Sequence, residues 1–329
     1  MIDESKKQQV KDKYQFLPQA NAYGNVISEM AEKNDDIVVL TADLAGSTGV
    51  KVFSEKYPKR FFNFGIAETN MVAASAGFAI YGKIPYVSTF AAFASLRCAE
   101  AIRTDVDYPK LNVRFIVTHS GVSMGNGGTT HHATEDITIL RSMANMTIIV
   151  PADSIETERS LWATETVEGP VYMRLGRGLD PLAYETDDYP FEIGKSVVMR
   201  DYGNDAAVIA CGVCVNAAVQ AADLLKNEGI NITVINMHTI KPIDTEMVIS
   251  AAKESGVVIT AEEHTIIGGL GGAVAETLTD AGIAVKFKRL GLPNVYSDIG
   301  SPSDLRSRYK IDKDGIFKEV KILLDQVST

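Results

Sequence analysis

The sequence predicts an α/β protein of two domains, each built on a mostly parallel sheet flanked by helices. Short runs rich in β-branched residues alternate with helical patterns along most of the chain, and this alternation is typical of parallel strands joined by crossover helices. The length of 329 residues fits about two domains of ordinary size, each able to bury a core of its own.

The first domain is predicted over residues 15–185. Six apolar runs indicate its strands, namely Ile37–Leu40, Phe61–Phe64, Ile84–Val87, Val113–Val117, Thr147–Val150 and Val171–Met173. After Arg177 the periodic pattern lapses. Residues 179–195 contain Asp180-Pro181 and Tyr189-Pro190, which favour turns, and this stretch is predicted to link the domains.

The second domain is predicted over residues 196–329. Its strands are indicated by four further runs, Ala206–Ala210, Ile232–Ile235, Val257–Thr260 and Val285–Arg289. A last helix is predicted from about Asp314, because helical spacing places several apolar side chains on one face. These side chains are Ile316, Phe317, Val320, Leu323, Leu324 and Val327.

Composition and charge exclude several functions. The formal net charge of -10 disfavours a nucleic-acid or anionic-membrane partner, since phosphate binding needs a concentrated basic surface. Three cysteines fit a reducing compartment. No apolar run approaches the roughly 18 residues of a membrane span, and the N-terminus lacks a signal-peptide core. We therefore expect a cytoplasmic protein.

The segment Phe61–Asn70 carries a candidate catalytic carboxylate. A strand that ends near Gly65, followed by a helix that starts near Glu68, places this carboxylate at the carboxyl edge of the sheet, where open α/β sheets bind ligands. A glutamate at a helix N-terminus can also serve only to stabilise the helix macrodipole. The segment alone leaves both interpretations open.

Histidines and phenylalanines follow the next strands. His119, His131 and His132 fall within fourteen residues beside a glycine-rich turn, Gly125–Gly128. A metal site is disfavoured, because adjacent histidines tend to point apart and no cysteine or paired carboxylate completes the ligand spacing.

Three other positions have simple structural explanations. By spacing alone, Phe90 and Phe93 are two core residues of a helix, and Asp43 after a strand is a turn or cap residue. Cys211 and Cys214 have the spacing of a redox motif, but small buried side chains explain both.

Taken in order, these segments resemble transketolases and deoxyxylulose-phosphate synthases. The matching residues are Gly65–Glu68, Ser88–Phe93, Thr118–His119, Gly128–His131, Pro151–Asp153, Arg174–Arg177, Glu262–His264 and Gly268–Gly272. The resemblance covers nearly the whole chain. It implies a pyrimidine-binding domain for thiamine diphosphate, followed by a transketolase C-terminal domain.

The resemblance implies a role for each matching cofactor residue. Glu68 would be the catalytic carboxylate that shares a proton with N1' of the cofactor's pyrimidine. Phe90 and Phe93 would stack on the pyrimidine ring, and Asp43 would lie near the cofactor.

The resemblance also implies roles in substrate binding. His131 would contact the substrate carbonyl region and assist proton transfer, and His119 would reach the sugar or its phosphate. Ser47 and Arg177 would bind phosphate, for which a guanidinium offers bidentate donors, with Arg174 as a lesser candidate. The remaining histidines, His132, His238 and His264, would be structural.

A partner chain is implied by what the sequence lacks. The family's Gly-Asp-Gly motif, which holds Mg²⁺ or another divalent cation and the cofactor diphosphate, does not occur in this sequence, so no metal ligand is assigned here. We expect an N-terminal transketolase subunit to supply the diphosphate site. Active sites that form between chains imply a heterotetramer with two copies of each subunit.

Three departures from the family concern the substrate. Ala20 stands where the family has an arginine, Gly127 replaces an aspartate and Leu96 replaces a tyrosine, so an unusual ketose, or one without phosphate, is expected. The expected reaction of carbohydrate metabolism transfers a two-carbon ketol unit from a ketose to an aldose. Two alternatives remain, a decarboxylating enzyme, similar to deoxyxylulose-phosphate synthase or the beta chain of a 2-oxoacid dehydrogenase, and a non-catalytic regulator.

Overall fold

In the computed structural model, residues 4–327 are described, and they form two sheets flanked by helices. The strands are β1 (Ile37–Thr41), β2 (Phe61–Asn63), β3 (Ile84–Phe90), β4 (Arg114–Thr118), β5 (Thr147–Ile149), β6 (Val171–Arg174), β7 (Val197–Asp201), β8 (Ala206–Ala210), β9 (Ile232–Asn236), β10 (Thr239–Lys241), β11 (Val257–Thr265) and β12 (Lys286–Leu292).

The α-helices connect these strands and cover the sheets. They are α1 (Glu4–Tyr14), α2 (Gln19–Lys33), α3 (Lys51–Lys56), α4 (Glu68–Ile80), α5 (Ala99–Ala101), α6 (Asp136–Arg141), α7 (Ser154–Ala163), α8 (Cys214–Asn227), α9 (Thr245–Ser255), α10 (Leu270–Asp280), α11 (Pro302–Arg308) and α12 (Lys313–Val327). Two π-helical segments, Phe93–Arg97 and Ile102–Asp107, flank α5. No helix between residues 4 and 327 is long and apolar enough to cross a membrane.

Both sheets are mostly parallel, which confirms the expected fold class. The first has the strand order β10-β5-β6-β4-β3-β1-β2, and the second has the order β12-β11-β8-β9-β7. Only the edge strands β10 and β7 pair in the antiparallel direction within the described residues. Every residue of β1, β4, β6 and β8 is buried, as expected for parallel strands covered on both faces.

The ten strands indicated by the sequence are confirmed with small shifts at their ends, but the sequence analysis missed β7 and β10. Both are edge strands, and β10 has only three residues. The last helix begins at Lys313, close to the expected start. On the predicted apolar face of this helix, Ile316, Val320 and Leu323 are buried. The side chain of Val327, also predicted on this face, lies outside the described residues.

Residues 179–195 contain no helix or strand, yet they are packed against both sheets. The Tyr184 hydroxyl donates to Glu156 Oε1 at 2.7 Å and accepts a hydrogen bond from the Asn236 side chain at 2.8 Å. The backbone amide of Ala183 donates to Asp153 Oδ2 at 2.7 Å. The connecting segment is therefore held by residues at the start of α7 and at the end of β9.

Arg174, at the end of β6, is a buried clamp between the two sheets. Its Nε donates to Asp136 Oδ2 at 2.8 Å. Its Nη2 donates to the carbonyl oxygens of Ala133 at 2.8 Å and Glu263 at 2.9 Å. Because Glu263 belongs to β11, one buried side chain bonds to a helix and a loop of the first sheet's layer and to a strand of the second sheet.

We predict that Arg174→Met lowers the free energy of unfolding by about 3–5 kcal/mol, because it leaves the buried Asp136 carboxylate without its cation. Urea denaturation followed by circular dichroism measures this loss. Arg177→Met, at an exposed arginine three residues on, serves as the control and should change stability by less than about 0.5 kcal/mol. Adding Asp136→Asn to Arg174→Met should recover part of the loss, and no recovery would contradict the explanation.

Candidate active site

The candidate residues meet at the carboxyl edge of four neighbouring parallel strands. His119 directly follows β4, Phe90 ends β3, Asp43 follows β1, and Glu68 opens α4 after β2. Since these strands lie side by side in the order β4-β3-β1-β2, their carboxyl ends form one continuous edge. Open α/β sheets bind their ligands at such an edge.

Glu68 is buried, with 4% of its surface exposed. Its two carboxylate oxygens accept hydrogen bonds of 3.1 and 3.2 Å from Nη1 of Arg97. The Arg97 side chain is half exposed, and its guanidinium carbon lies 4.2 Å from the centroid of the Phe93 ring.

Arg97 was missed by the sequence analysis. Its only signal is its position four residues after Phe93, at the end of the same π-helical turn. Such turns concentrate at functional sites.

Phe90, Phe93, His119 and His131 form one aromatic cluster. The Phe90 and His119 rings are stacked with centroids 3.9 Å apart. The centroids of Phe90 and Phe93 are 5.4 Å apart, and His131 meets Phe93 edge to face, also at 5.4 Å. The structure thus brings together two phenylalanines and two histidines that the sequence singled out.

His119 is held as a neutral imidazole. Its backbone adopts a left-handed conformation with φ 62°, and Thr118 Oγ1 lies 2.8 Å from its Nδ1. Burial lowers the pKa of His119 to about 4, and the neighbouring charges of Arg177 and His131 contribute to the lowering. A neutral ring can donate a hydrogen bond through one nitrogen and accept one through the other.

His131 lies in a loop supported by the second domain. Its Nδ1 is 2.9 Å from Thr130 Oγ1. Gly125 in this loop has φ 55°, and a Cβ atom there would lie 2.7 Å from the carbonyl oxygen of Gly300. The neighbouring His132 is buried, with Nε2 3.0 Å from the carbonyl oxygen of Gly125, which fits its expected structural role.

Asp43, Ser47 and Arg177 are exposed. Asp43 has φ 61°, and its backbone amide donates to Asn63 Oδ1 at 3.0 Å. Arg177 follows β6 and is near enough to His119 for its charge to lower the pKa of that ring. Arg174, in contrast, is buried and donates its hydrogen bonds to protein acceptors. The prediction that Arg174 is a lesser candidate for binding phosphate is therefore wrong.

The other singled-out residues lie in the interior. His238 is buried and stacked on Phe191 with ring centroids 4.2 Å apart. His264 is buried with Nδ1 2.7 Å from the carbonyl oxygen of Thr265. Cys211 and Cys214 are free and buried, and burial raises the pKa of both thiols, which disfavours the thiolate that redox chemistry needs.

Two family models match the chain. Residues 17–181 match the transketolase pyrimidine-binding domain, and residues 194–316 match the transketolase C-terminal domain. The chain therefore belongs to the transketolase family of transferases, in which thiamine diphosphate is the cofactor.

Individual relatives differ in how much of their length this chain covers. It is 42% identical to a protein of Methanocaldococcus jannaschii described as a transketolase C-terminal section, over 91% of this chain and 93% of that protein. It is 37% identical to one of the subunits of apulose-4-phosphate transketolase from Phocaeicola vulgatus, over 90% of this chain and 94% of that subunit. It is 38% identical to 1-deoxy-D-xylulose-5-phosphate synthase of Syntrophotalea carbinolica, over 91% of this chain but only 47% of the synthase.

A solved structure of a split-gene transketolase, described as an inactive beta4 tetramer, has a TM-score of 0.84 and 39% identity over 94% of this chain and 98% of that one. This chain therefore has the size of a split subunit and about half the length of the synthase.

The described residues fit one end of the cofactor. A buried carboxylate whose arginine partner lies over a phenylalanine ring suits a planar ring with a nitrogen that can share a proton. Residues 4–327 contain no group of three or more histidine, cysteine or acidic side chains that could hold a metal ion. The donor set thus matches the pyrimidine ring and includes no cluster for a cation with its diphosphate.

We predict that Arg177→Met raises the pKa of His119 above about 4, because the variant removes a positive charge that disfavours the imidazolium. The pKa should stay below about 6.5, since burial of the ring is unchanged. A pH titration of the histidine ring resonances by NMR measures the shift. Arg103→Met, at an exposed arginine after α5, is the control, and an identical His119 titration in both variants would contradict the electrostatic contact.

Proposed function

We propose that this chain is the cofactor-activating subunit of a transketolase that transfers a two-carbon ketol unit from a ketose to an aldose. The observation that carries the proposal is the buried Glu68 carboxylate at the carboxyl edge of the sheet, which Arg97 connects to the Phe93 ring and its aromatic cluster. When bound, thiamine diphosphate supplies the nucleophilic carbon for cleavage of the bond next to the ketose carbonyl.

Glu68 shares a proton with the pyrimidine N1' of the cofactor. It lies at the start of α4, and its burial keeps water away from the shared proton. Phe90 and Phe93 provide the apolar surface on which the pyrimidine ring stacks. Asp43 follows the neighbouring strand β1, and its backbone amide donates a hydrogen bond to Asn63. From this position it lies near the cofactor.

His131 and His119 handle the substrate. His131, on the edge of Phe93, exchanges a proton with the oxygen of the substrate carbonyl region. His119 is neutral at neutral pH and binds a sugar hydroxyl or phosphate by hydrogen bonds. Arg177 and Ser47, both exposed, bind a phosphate group, and Arg177 does so with charge-assisted donors.

An N-terminal transketolase subunit is the proposed partner. It holds the cofactor diphosphate with Mg²⁺ or another divalent cation. The similarity to a split-gene transketolase whose beta4 tetramer is inactive supports both the need for a partner and self-association of this chain. The proposed assembly has two copies of each subunit, and the free, buried cysteines support a reducing, cytoplasmic location.

The proposed ketose is unusual. Ala20 cannot provide the family's arginine, and Leu96 presents an apolar side chain that is 56% exposed beside Arg97. At Gly127 a Cβ atom would lie 2.5 Å from Met124 Cγ and 3.1 Å from His131 Cβ. An aspartate at this position would therefore have to move the Met124 side chain and would crowd His131, so hydroxyl recognition differs from that of the family.

The similarity to a deoxyxylulose-phosphate synthase favours one alternative, a reaction that decarboxylates pyruvate. We predict that the reconstituted pair forms new sugar phosphates from a ketose phosphate and an aldose phosphate. With pyruvate and an aldehyde it should release no carbon dioxide. Chromatography of the sugars and trapping of labelled carbon dioxide separate the two reactions, and carbon dioxide release would rule out the transketolase assignment.

We predict that Glu68→Gln lowers kcat of the reconstituted pair by about 100-fold or more, the usual contribution of a positioned acid or base, because an amide cannot exchange the shared proton. Steady-state transfer assays measure the loss. Glu29→Gln, at an exposed position of α2, is the matched control. A Glu68→Gln pair with full activity would disprove the role of this carboxylate.

A further inference from the structure

The guanidinium of Arg97 contacts both the Glu68 carboxylate and the face of the Phe93 ring. Its Nη1 lies 3.1 and 3.2 Å from the Glu68 carboxylate oxygens, and its central carbon lies 4.2 Å from the Phe93 ring centroid. A planar cation with N–H donors therefore lies over an aromatic ring and pairs with a buried carboxylate.

A cofactor pyrimidine needs these same two surfaces, a requirement that rests on the proposed function. Its ring is also planar, and in the proposed function its N1' would face the Glu68 carboxylate while the ring stacks on phenylalanine. We infer that Arg97 holds the place of the pyrimidine ring in the cofactor-free subunit and moves away from Glu68 when thiamine diphosphate binds.

The surroundings of Arg97 allow this exchange. About half of the side chain is exposed, 52%, whereas the Glu68 side chain is 5% exposed. Within residues 4–327, the hydrogen bonds that the guanidinium donates go to Glu68. The cation can therefore turn into solvent without breaking other hydrogen bonds, while the carboxylate stays in position.

The contact also explains how the subunit tolerates a buried carboxylate before the cofactor arrives. An unpaired buried charge is strongly destabilising, and Arg97 compensates it. The consequence is competition, because the binding-competent state is only the fraction of molecules in which Arg97 has left Glu68. The apparent dissociation constant of the cofactor is raised by the inverse of that fraction.

The test uses Arg97→Met in the pair reconstituted with the N-terminal subunit and Mg²⁺. Methionine keeps an apolar stem near Phe93 but can neither pair with Glu68 nor carry its charge. Isothermal titration calorimetry with thiamine diphosphate should give a dissociation constant at least about tenfold lower than that of the wild-type pair. Arg97→Lys, which keeps the charge but not the planar fork, should give an intermediate value.

A second readout needs no cofactor. In the isolated chain, Arg97→Met should lower the melting temperature at about pH 8, because Glu68 loses its counter-charge. A control variant, Arg103→Met at an exposed arginine, should leave both the melting temperature and the dissociation constant unchanged.

Two results would overturn the inference while the proposed function stands. Cofactor binding that is weakened in Arg97→Met would mean that the arginine stays on Glu68 in the loaded enzyme. Unchanged binding would mean that no competition exists. A wild-type pair that fails to bind thiamine diphosphate at all would instead overturn the proposed function and the inference with it.

Discussion

The shared direction of four adjacent strands is the constraint on which the candidate site depends. Parallel strands end at the same edge, so the loops after β4, β3, β1 and β2 open side by side. Residues far apart in sequence thereby become neighbours, and Asp43 and His119 adopt left-handed backbone conformations in the loops that follow their strands. The core beneath them is apolar and supports the strand ends that carry the site residues, of which Glu68, Phe90 and His119 are themselves buried.

Charge compensation differs between the interior and the site. In the interior, Asp136 is paired with the buried Arg174, and Glu263 with Arg306, whose side chain is 16% exposed. These arginines are held by several acceptors each. At the site, the buried Glu68 is paired with an arginine whose other surroundings are an aromatic ring and solvent. The difference supports the proposed exchange at Glu68, because Arg97 is about half exposed whereas the interior arginines are mostly buried.

The sequence predicts the strands well because parallel strands are buried on both faces and appear as continuous apolar runs. It predicts β7 and β10 poorly, because edge strands are short or half buried and their hydrogen bonds depend on a distant partner. The aromatic cluster could be anticipated only through resemblance, since the spacing of Phe90 and Phe93 equally fits a core helix.

The sequence does not predict the partners of two arginines, Arg174 and Arg97. The sequence places Arg174 and Arg177 in one motif, and nothing in the residue types tells which is buried. Burial follows from the opposing β11, whose carbonyl at Glu263 accepts from Arg174. Arg97 depends likewise on a carboxylate from another helix. Long-range pairs of this kind are decided by tertiary packing, which local spacing does not encode.

The strand β10 joins the two halves of the chain by hydrogen bonding. It comes after β9 of the second sheet, yet it pairs with β5 at the edge of the first. An uncovered edge strand is a template for association with other chains, and here the second half of the protein covers it. Separating the halves would therefore do more than remove a domain, because it would leave β5 as an unpaired edge strand, open to association, in the half that carries the candidate site residues.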